Sequence, residues 1–161
     1  MLAETRIPNV EIRLATLDDL QDITELDAQI TELHKPDYWQ EMFQRYVERS
    51  EGHFLVAQMP GDIRSDAGDL HGVQGFIVGE VRAWEFGSHP CGWIMVVGVS
   101  PNHRVRGIGE SLYNAIADKF RDDGVDKIRT MAARNDRLNM SFFRSQGMMA
   151  GPFIELEKPI D

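Results

Sequence analysis

The chain has 161 residues, of which 42% are hydrophobic and 27% charged, a composition typical of one globular domain large enough to build a core. Its 26 acidic residues outnumber its 17 lysines and arginines, and the formal net charge of −9 excludes nucleic-acid binding through a broad basic face and suits a cationic partner. The single cysteine, Cys91, excludes an internal disulfide framework.

The first part of the chain predicts one strand followed by two amphipathic helices. Val10–Leu14 is a short strand, and Thr16 is suited to cap the helix that follows it. Apolar residues recur every three or four positions over Leu17–Leu33 and, after the break at Pro36, over Trp39–Val47. Each of these two segments therefore presents one apolar face to a core.

The middle of the chain changes to the pattern of strands. The predicted strands are Phe54–Met59, Val73–Trp84 and Trp93–Val99, and the continuous apolar run of the third suits a central strand buried on both faces. Gly75 and Gly79 are candidate bulge points in the second strand. Pro60–Gly72 is rich in glycine and aspartate and is predicted to be a surface loop.

The last third of the chain adds two helix–strand pairs. Gly107–Asp122 and Arg137–Gln146 are predicted helices, each followed closely by a glycine. Lys127–Ala132 and Phe153–Glu157 are predicted strands. The element order is βααβββαβαβ in a single domain, 1–161, and we expect an α/β (α+β) fold with a mixed sheet flanked by helices.

The stretch 97–110 carries the most chemical information. A buried strand ends there, a loop with Arg104 and Arg106 follows, and a helix begins near Gly107. The first amides of a helix are unpaired and the helix dipole is positive there, while Gly107 and Gly109 let an anionic group approach the backbone. This combination predicts an anion site suited to a phosphate or pyrophosphate.

Two other interpretations of residues 97–110 are a turn without a ligand and a dinucleotide-binding fingerprint. The arginines of a strand–loop–helix turn can be merely solvated, and Gly-x-Gly alone is a weak signal. Leu112 stands where the dinucleotide-binding fingerprint has its third glycine, so that fingerprint is not matched.

A larger pattern around the stretch resembles a known family. The segment Arg104-Val105-Arg106-Gly107-Ile108-Gly109 follows a strand ending in Val99-Ser100-Pro101, and it resembles motif A of the GNAT superfamily of acyl-CoA N-acyltransferases. The similarity extends to Asn135–Gly147 and to Arg13-x-Ala-Thr-x-x-Asp19, which together cover nearly the whole chain. It implies a largely antiparallel sheet, acetyl-CoA as co-substrate, and direct transfer of the acetyl group to a primary amine of a small molecule or protein.

The resemblance also implies which residues contact the cofactor. The loop and helix start would hold the pyrophosphate, and two backbone positions on the preceding strand would pair with the pantetheine arm. For the family's asparagine before the last helix, Asn135 is the nearest match, counting back from Gly147 puts Asp136 in register, and Asn139 is a rival. The implied cofactor-binding residues are Val97, Val99, Arg104, Val105, Arg106, Gly107, Ile108, Gly109, Glu110, Asn135, Asn139 and Phe143.

The sequence departs from the family at both usual catalytic positions. Trp93–Val97, where a glutamate base is common, contains no carboxylate, and Phe143 stands at the position of the usual tyrosine acid. The candidate catalytic residues are therefore Glu80 and His34, with proximity and water as the alternative. Glu80 also fits a solvent-facing strand residue, and His34 a loop histidine.

The acceptor site is expected near the junction of the first two helices, where the family forms its pocket. Asp37 can pair with an ammonium group and Tyr38 can pack against a carbon chain, whereas Trp39 is better explained as core. The histidines lack metal-ligand spacing, so no metal site is expected.

Assembly, location and competing functions complete the expectations. The predicted edge strand Phe153–Glu157 favours a homodimer. The longest purely apolar run, Trp93–Val97, is far shorter than a membrane span, and no signal peptide is evident, so we expect a cytoplasmic protein that does not bind membranes. A non-catalytic acyl-CoA-binding module and a transferase of a longer acyl group are the competing functions.

Overall fold

The computed structural model describes residues 10–59, 72–102 and 107–161, which form two compact units that divide after Met131. The strands are β1 (Glu11–Leu14), β2 (His53–Gln58), β3 (Val73–Arg82), β4 (Cys91–Val99) and β5 (Ile128–Arg129). The helices are α1 (Leu20–Thr31), α2 (Pro36–Phe43), α3 (Ile108–Asp122) and α4 (Arg137–Ser145). A 3-10 turn, Leu17–Asp19, precedes α1, and a π-helical segment, Gln44–Glu48, extends α2. The single domain expected from the sequence stays a prediction.

The first unit contains all five strands in one sheet of order β1-β2-β3-β4-β5. The first three pairings are antiparallel, and β4 pairs with β5 in parallel. The predicted fold class, a mixed and largely antiparallel sheet flanked by helices, is therefore confirmed.

Each face of the sheet is covered by helices that the hydrophobic periodicity predicted. On one face α1 and α2 bury Trp39, Phe43 and Tyr46 in a cluster that includes Phe76 and Val78 of β3. On the other face α3 buries a stripe of apolar side chains. That stripe consists of Ile108, Leu112, Ile116, Ala117 and Phe120. The sheet is thus covered on both faces at β3, its central strand. The expectation that Trp93–Val99 is a central strand buried on both faces is wrong, because β4 is the fourth of five strands, Met95 is exposed and four of its other residues are only partly buried.

A bulge interrupts the pairing of β3 with β4. Val78 lies opposite Val96, whereas Gly79 lies opposite Ile94, so Met95 is the extra residue on β4. The irregularity falls at Gly79, one of the two positions that the sequence indicated, and a second register shift between Ala57 and Gln58 lies opposite Gly75, the other one. On β4 the Met95 side chain faces solvent, with 42% of its surface exposed.

The predicted last strand is not present. Phe153–Glu157 forms no strand, and 81% of Ile154 and 86% of Leu156 are exposed. Alternating apolar residues become a strand only when a neighbouring strand satisfies their backbone groups, and among the described residues none pairs with this segment. The predicted strand Lys127–Ala132 is also shorter, at Ile128–Arg129.

Two sequence predictions fall outside the described residues. The loop Pro60–Gly72 is described only at Gly72, and Arg104, Val105 and Arg106 are not described. No helix in the described ranges is both long and apolar enough to cross a bilayer.

Candidate functional site

The pairing of β4 with β5 covers only a short part of β4. β5 pairs with β4 at Gly92 and Trp93, and the Thr130 hydroxyl donates to the Ile94 carbonyl at 3.0 Å. β4 then continues to Val99, paired with β3 alone among the described strands. The edge of β4 from Met95 to Val99 that faces away from β3 therefore has no partner strand in the described residues, and we call the space beside this edge the cleft.

The backbone of Val97 and Val99 faces this cleft. The amide of Ser100 donates to the Gln74 carbonyl at 2.7 Å, so Ser100 directs its backbone groups toward β3. Backbone direction alternates along a strand, which turns the N–H and C=O groups of Val97 and Val99 toward the other edge. An extended ligand in the cleft could hydrogen-bond there as an added strand would.

The start of α3 lies shortly beyond the end of β4. Gly107 precedes the helix with φ of 76°, a left-handed conformation that favours glycine, and Ile108 and Gly109 begin the helix as buried residues. The Ser111 hydroxyl and amide both turn back to the Gly107 carbonyl at 3.0 Å. The first amides of α3, including that of Glu110, are the ones a helix leaves without an internal partner.

Glu80 lies beside the bulge and is buried, unlike the solvent-facing strand residue that was its simpler interpretation. It stands opposite Trp93 across the β3–β4 pair, and only 8% of it is exposed. Its Oε1 accepts hydrogen bonds from Arg82 at 2.9 and 3.0 Å, and its Oε2 lies 3.7 Å from Arg45. This carboxylate is therefore shared between two guanidinium groups.

Tyr46 completes the surroundings of Glu80. Burial, reinforced by the negative charge and the hydrogen bond of Glu80, raises the pKa of Tyr46 to about 12. Gly52 allows this contact, because a Cβ there would lie 2.9 Å from the Glu80 Cβ and 3.0 Å from the Tyr46 ring. No sequence pattern indicates the pairing of Tyr46 with Glu80, because only tertiary packing brings the two residues together.

The residues predicted for the acceptor lie at the junction of α1 and α2, away from Glu80. His34 and Asp37 are exposed, and 41% of Tyr38 is exposed. Burial, followed by the charge of Asp27, raises the pKa of Tyr38. His34 lines a groove between α1 and α2 to which no residue of β4 contributes.

Trp39 is a core residue, as its helical spacing indicated. Its ring is fully buried and packs edge-on against Phe76 at 5.1 Å. Its indole Nε1 donates to the buried carboxylate of Asp27 at 2.9 Å, and Lys35 pairs with the same Asp27 oxygen at 2.9 Å. The junction is thus fixed by a buried carboxylate that the sequence analysis did not single out.

The second unit, 132–161, contains the remaining predicted cofactor residues. Asp136 caps α4, accepting the Asn139 amide at 3.1 Å and the Asn139 side chain at 2.7 Å. Asn135 lies just before the cap and is exposed. Phe143 is 7% exposed and stacks at a tilt on Phe142.

No metal centre stands out in the part of the chain that the structure describes. Those ranges contain no group of three or more histidine, cysteine, aspartate or glutamate side chains close enough to hold a metal ion. The metal-free site expected from the sequence stays a prediction.

Comparisons with known proteins agree with this architecture. The model of the family described as "Acetyltransferase (GNAT) family" matches residues 19–148. No curated protein sequence matches the chain. Among solved structures, AAC(6')-Iy in complex with a bisubstrate analog has a TM-score of 0.77 at 15% identity, over 95% of this chain and 99% of that one.

Two further structures share the fold. The aminoglycoside 6'-N-acetyltransferase AAC(6')-Ih from Acinetobacter baumannii has a TM-score of 0.74 at 16% identity, over 95% of this chain and 100% of that one. A possible acetyltransferase from Clostridium difficile 630 has a TM-score of 0.71 at 19% identity, over 94% and 98%. At such identities the likeness establishes the fold and leaves the reaction to be argued from the site.

Proposed function

The chain belongs to the acetyltransferase (GNAT) family, and from that premise we propose that it transfers an acetyl group from acetyl-CoA to a primary amine by direct attack. The observation that supports the proposal is the outer edge of β4 from Met95 to Val99, which has no partner strand among the described residues and leads along the chain toward the start of α3. The solved neighbours whose names specify aminoglycosides support a small-molecule acceptor over a protein.

The cleft fits an extended thioester ending in a pyrophosphate. The backbone groups of Val97 and Val99 would pair with the amides of the pantetheine arm. The amides of Ile108, Gly109 and Glu110, with the loop Arg104–Arg106 and Gly107, would hold the phosphates. Bound acetyl-CoA would supply the activated acyl group at the narrow end of the cleft, near Ile94 and Met95.

The reaction also requires that the amine lose a proton and that the negative charge on the thioester oxygen be stabilised. The amine nitrogen attacks the thioester carbon, the C–S bond breaks, and the amine loses one proton. A backbone N–H of the bulged segment of β4 would donate to the oxyanion. Orientation in the cleft alone can be worth roughly 7–11 kcal/mol of the barrier.

Glu80 is the residue we propose as base, acting through water. It lies on the same cross-strand row as Trp93, one step from the bulge, whereas His34 lies on an exposed helix junction. Because Arg45 and Arg82 both engage its carboxylate, we propose that a water carries the proton from the amine to Glu80. The predicted cofactor roles of Asn135, Asn139 and Phe143 remain part of the proposal, as do the homodimer and the cytoplasmic location. Asp37 and Tyr38, at the α1–α2 junction, remain the acceptor site that the family resemblance implies, as an alternative to a site on the β3–β4 hairpin.

The test of the cofactor site uses two left-handed glycines. Gly107→Asp places a carboxylate where the phosphates would lie, and Gly124→Asp puts the same residue at φ of 84° in open space. We expect calorimetry to show CoA affinity falling at least tenfold in Gly107→Asp and unchanged in Gly124→Asp. Equal affinities in two folded variants would contradict the assignment.

Thiol release from acetyl-CoA across a panel of amines tests the reaction itself. Release that depends on an amine supports the proposal. CoA binding with no release on any amine would instead indicate the non-catalytic module. That alternative is supported by the lack of a carboxylate in Trp93–Val97 and by the phenylalanine at position 143, where the family usually has a tyrosine. Release only from longer acyl thioesters would indicate the third function.

A further inference from the structure

The hairpin between β3 and β4 exposes two aromatic residues in a conformation that costs free energy. Trp84 has φ of 69° and Phe86 φ of 56°, and bulky residues rarely adopt this left-handed region. Burial does not compensate for the strain, because 67% of Trp84 and 73% of Phe86 are exposed. Two strained and exposed aromatic side chains on one turn indicate a function.

The hairpin is held in one shape. The Trp84 amide donates to the Ser88 carbonyl at 2.8 Å, and the Ser88 amide donates to the Glu85 carbonyl at 3.0 Å. Arg129 of β5 donates to the Ser88 hydroxyl from the neighbouring strand. The aromatic rings are therefore presented by a rigid turn, which reduces the entropy lost when a ligand binds to them.

An aromatic contact connects the hairpin to the bulge. The Phe86 ring lies 6.5 Å from the ring of Trp93, which is only partly buried. Trp93 shares a face with Glu80 and Tyr46, the face covered by α1 and α2, whereas Gly92 points to Phe120 on the α3 side. With the phosphates at the start of α3, an amine would reach the narrow end of the cleft along Trp93.

The charges of this wall do not favour a polycation. Two carboxylates of this part of the chain, Glu80 and Glu85, are already engaged by Arg82, at 2.9 and 3.4 Å. A substrate with several ammonium groups would have to break these pairs, whereas an aromatic ring would stack on Phe86 and Trp84. The exposed surface therefore matches an apolar body with one amine.

We propose that the acceptor is a primary amine carried on an aromatic body, which lies along Trp93, Phe86 and Trp84 with its nitrogen at the bulge. This inference rests on the proposed acetyl transfer and makes it more specific. It separates this chain from its neighbours that act on aminoglycosides.

The experiment compares tryptamine with spermidine and ethanolamine as acceptors. We expect tryptamine to give the highest kcat/KM of the three. Trp84→Gly and Phe86→Gly should raise the KM for tryptamine about fivefold or more and leave the KM for ethanolamine unchanged. The melting temperature should stay the same or rise, because glycine relieves the left-handed strain.

Ser50→Gly is the matched control, since Ser50 also has a positive φ, of 52°, and is exposed on another loop. It should leave the KM for tryptamine unchanged. Phe86→Asn, which tolerates the same backbone conformation, repeats the test if a glycine variant folds poorly. Calorimetric binding of tryptamine to the CoA-saturated protein provides a readout that does not need turnover.

Each other outcome separates the two proposals. An unchanged KM and affinity for tryptamine in folded Trp84→Gly and Phe86→Gly would overturn the inference and leave the acetyl transfer intact. A preference for spermidine would do the same, as would a wild-type dimer that Phe86→Gly converts to a monomer. Absence of thiol release with every amine would overturn the proposed function, and the binding measurement would then decide the inference.

Discussion

A buried carboxylate near the start of the chain shows how single residues set the stability of this fold. Asp19 is 5% exposed, and its oxygens accept two hydrogen bonds from Arg13 and one from the Thr16 amide, all at 2.8 Å. Burial alone would raise the pKa of Asp19, but the hydrogen bonds from Arg13 and Thr16 outweigh it and hold the pKa below its usual range. The sequence analysis predicted Thr16 as the helix cap and matched Arg13 and Asp19 to the family pattern, but it did not predict that the three residues contact one another.

The lowered pKa of Asp19 predicts an acid-labile contribution to stability. A carboxyl group with a depressed pKa in the folded state stabilises that state above its unfolded pKa of about 3.9, and this contribution is lost as the pH falls through the folded value. We expect Asp19→Asn to lower the free energy of unfolding by roughly 1.5–3 kcal/mol at pH 7. Urea unfolding from pH 2 to 7 should show the difference between the two proteins shrinking below pH 4. A constant difference over that range would contradict the assignment.

The identity of the catalytic base also depends on single residues. The sequence could not decide whether Glu80 or His34 is the base. It could not show that Arg45, Arg82 and Tyr46 surround Glu80. We expect the acidic limb of the kcat/KM profile to be lost in Glu80→Gln and kept in His34→Ala. A limb that survives both substitutions and follows the pKa of the acceptor amine would assign catalysis to orientation alone.

Helices and strands could be predicted well wherever one face is buried. The periods of α1, α2 and α3 and the apolar run of β4 each correspond to contacts in the core. The strand predicted at 153–157 is wrong because alternating apolar residues indicate only which side chains would share a face. A strand also needs a neighbouring strand to pair with. The left-handed turn at Trp84 and Phe86 could not be predicted, since no glycine or asparagine occupies those two positions.

Helix α3 packs closely on β4, where Phe120 lies against Gly92. A Cβ at Gly92 would lie 2.5 Å from two atoms of the Phe120 ring, which is itself buried. We expect Gly92→Ala to lower the free energy of unfolding by about 1–3 kcal/mol through overpacking. Gly151→Ala, in open space, is the control and should change little. Phe120→Leu in the Gly92→Ala background should recover part of the loss, and additive effects of the two changes would contradict this packing.

For the whole molecule, the exposed apolar end of the chain is the feature that bears on assembly. The side chains of Ile154, Leu156 and Ile160 are 81%, 86% and 97% exposed. The homodimer was predicted from an edge strand that the structure lacks, but these side chains offer another apolar contact for a second copy. The sequence showed their alternation, and only the coordinates show them uncovered.

We expect light scattering to give the mass of a dimer, and the double substitution Ile154→Asp and Leu156→Asp to give that of a monomer. Met149→Asp, at a side chain that is 91% exposed and outside this segment, should leave the dimer intact. A wild-type monomer at high protein concentration would contradict the prediction.

The parting of β4 from β5 also determines how the backbone exchanges hydrogen with solvent. Along one strand, the amides of Gly98 and Ser100 are bonded to β3, while those of Val97 and Val99 point into the cleft. In the free protein we therefore expect deuterium to enter Val97 and Val99 quickly and their two neighbours slowly. Added CoA should remove the alternation by slowing the two fast sites, as the incoming molecule takes the place of a missing strand. Uniform exchange along 97–100, or an alternation that CoA leaves untouched, would mean that the cleft is filled in another way.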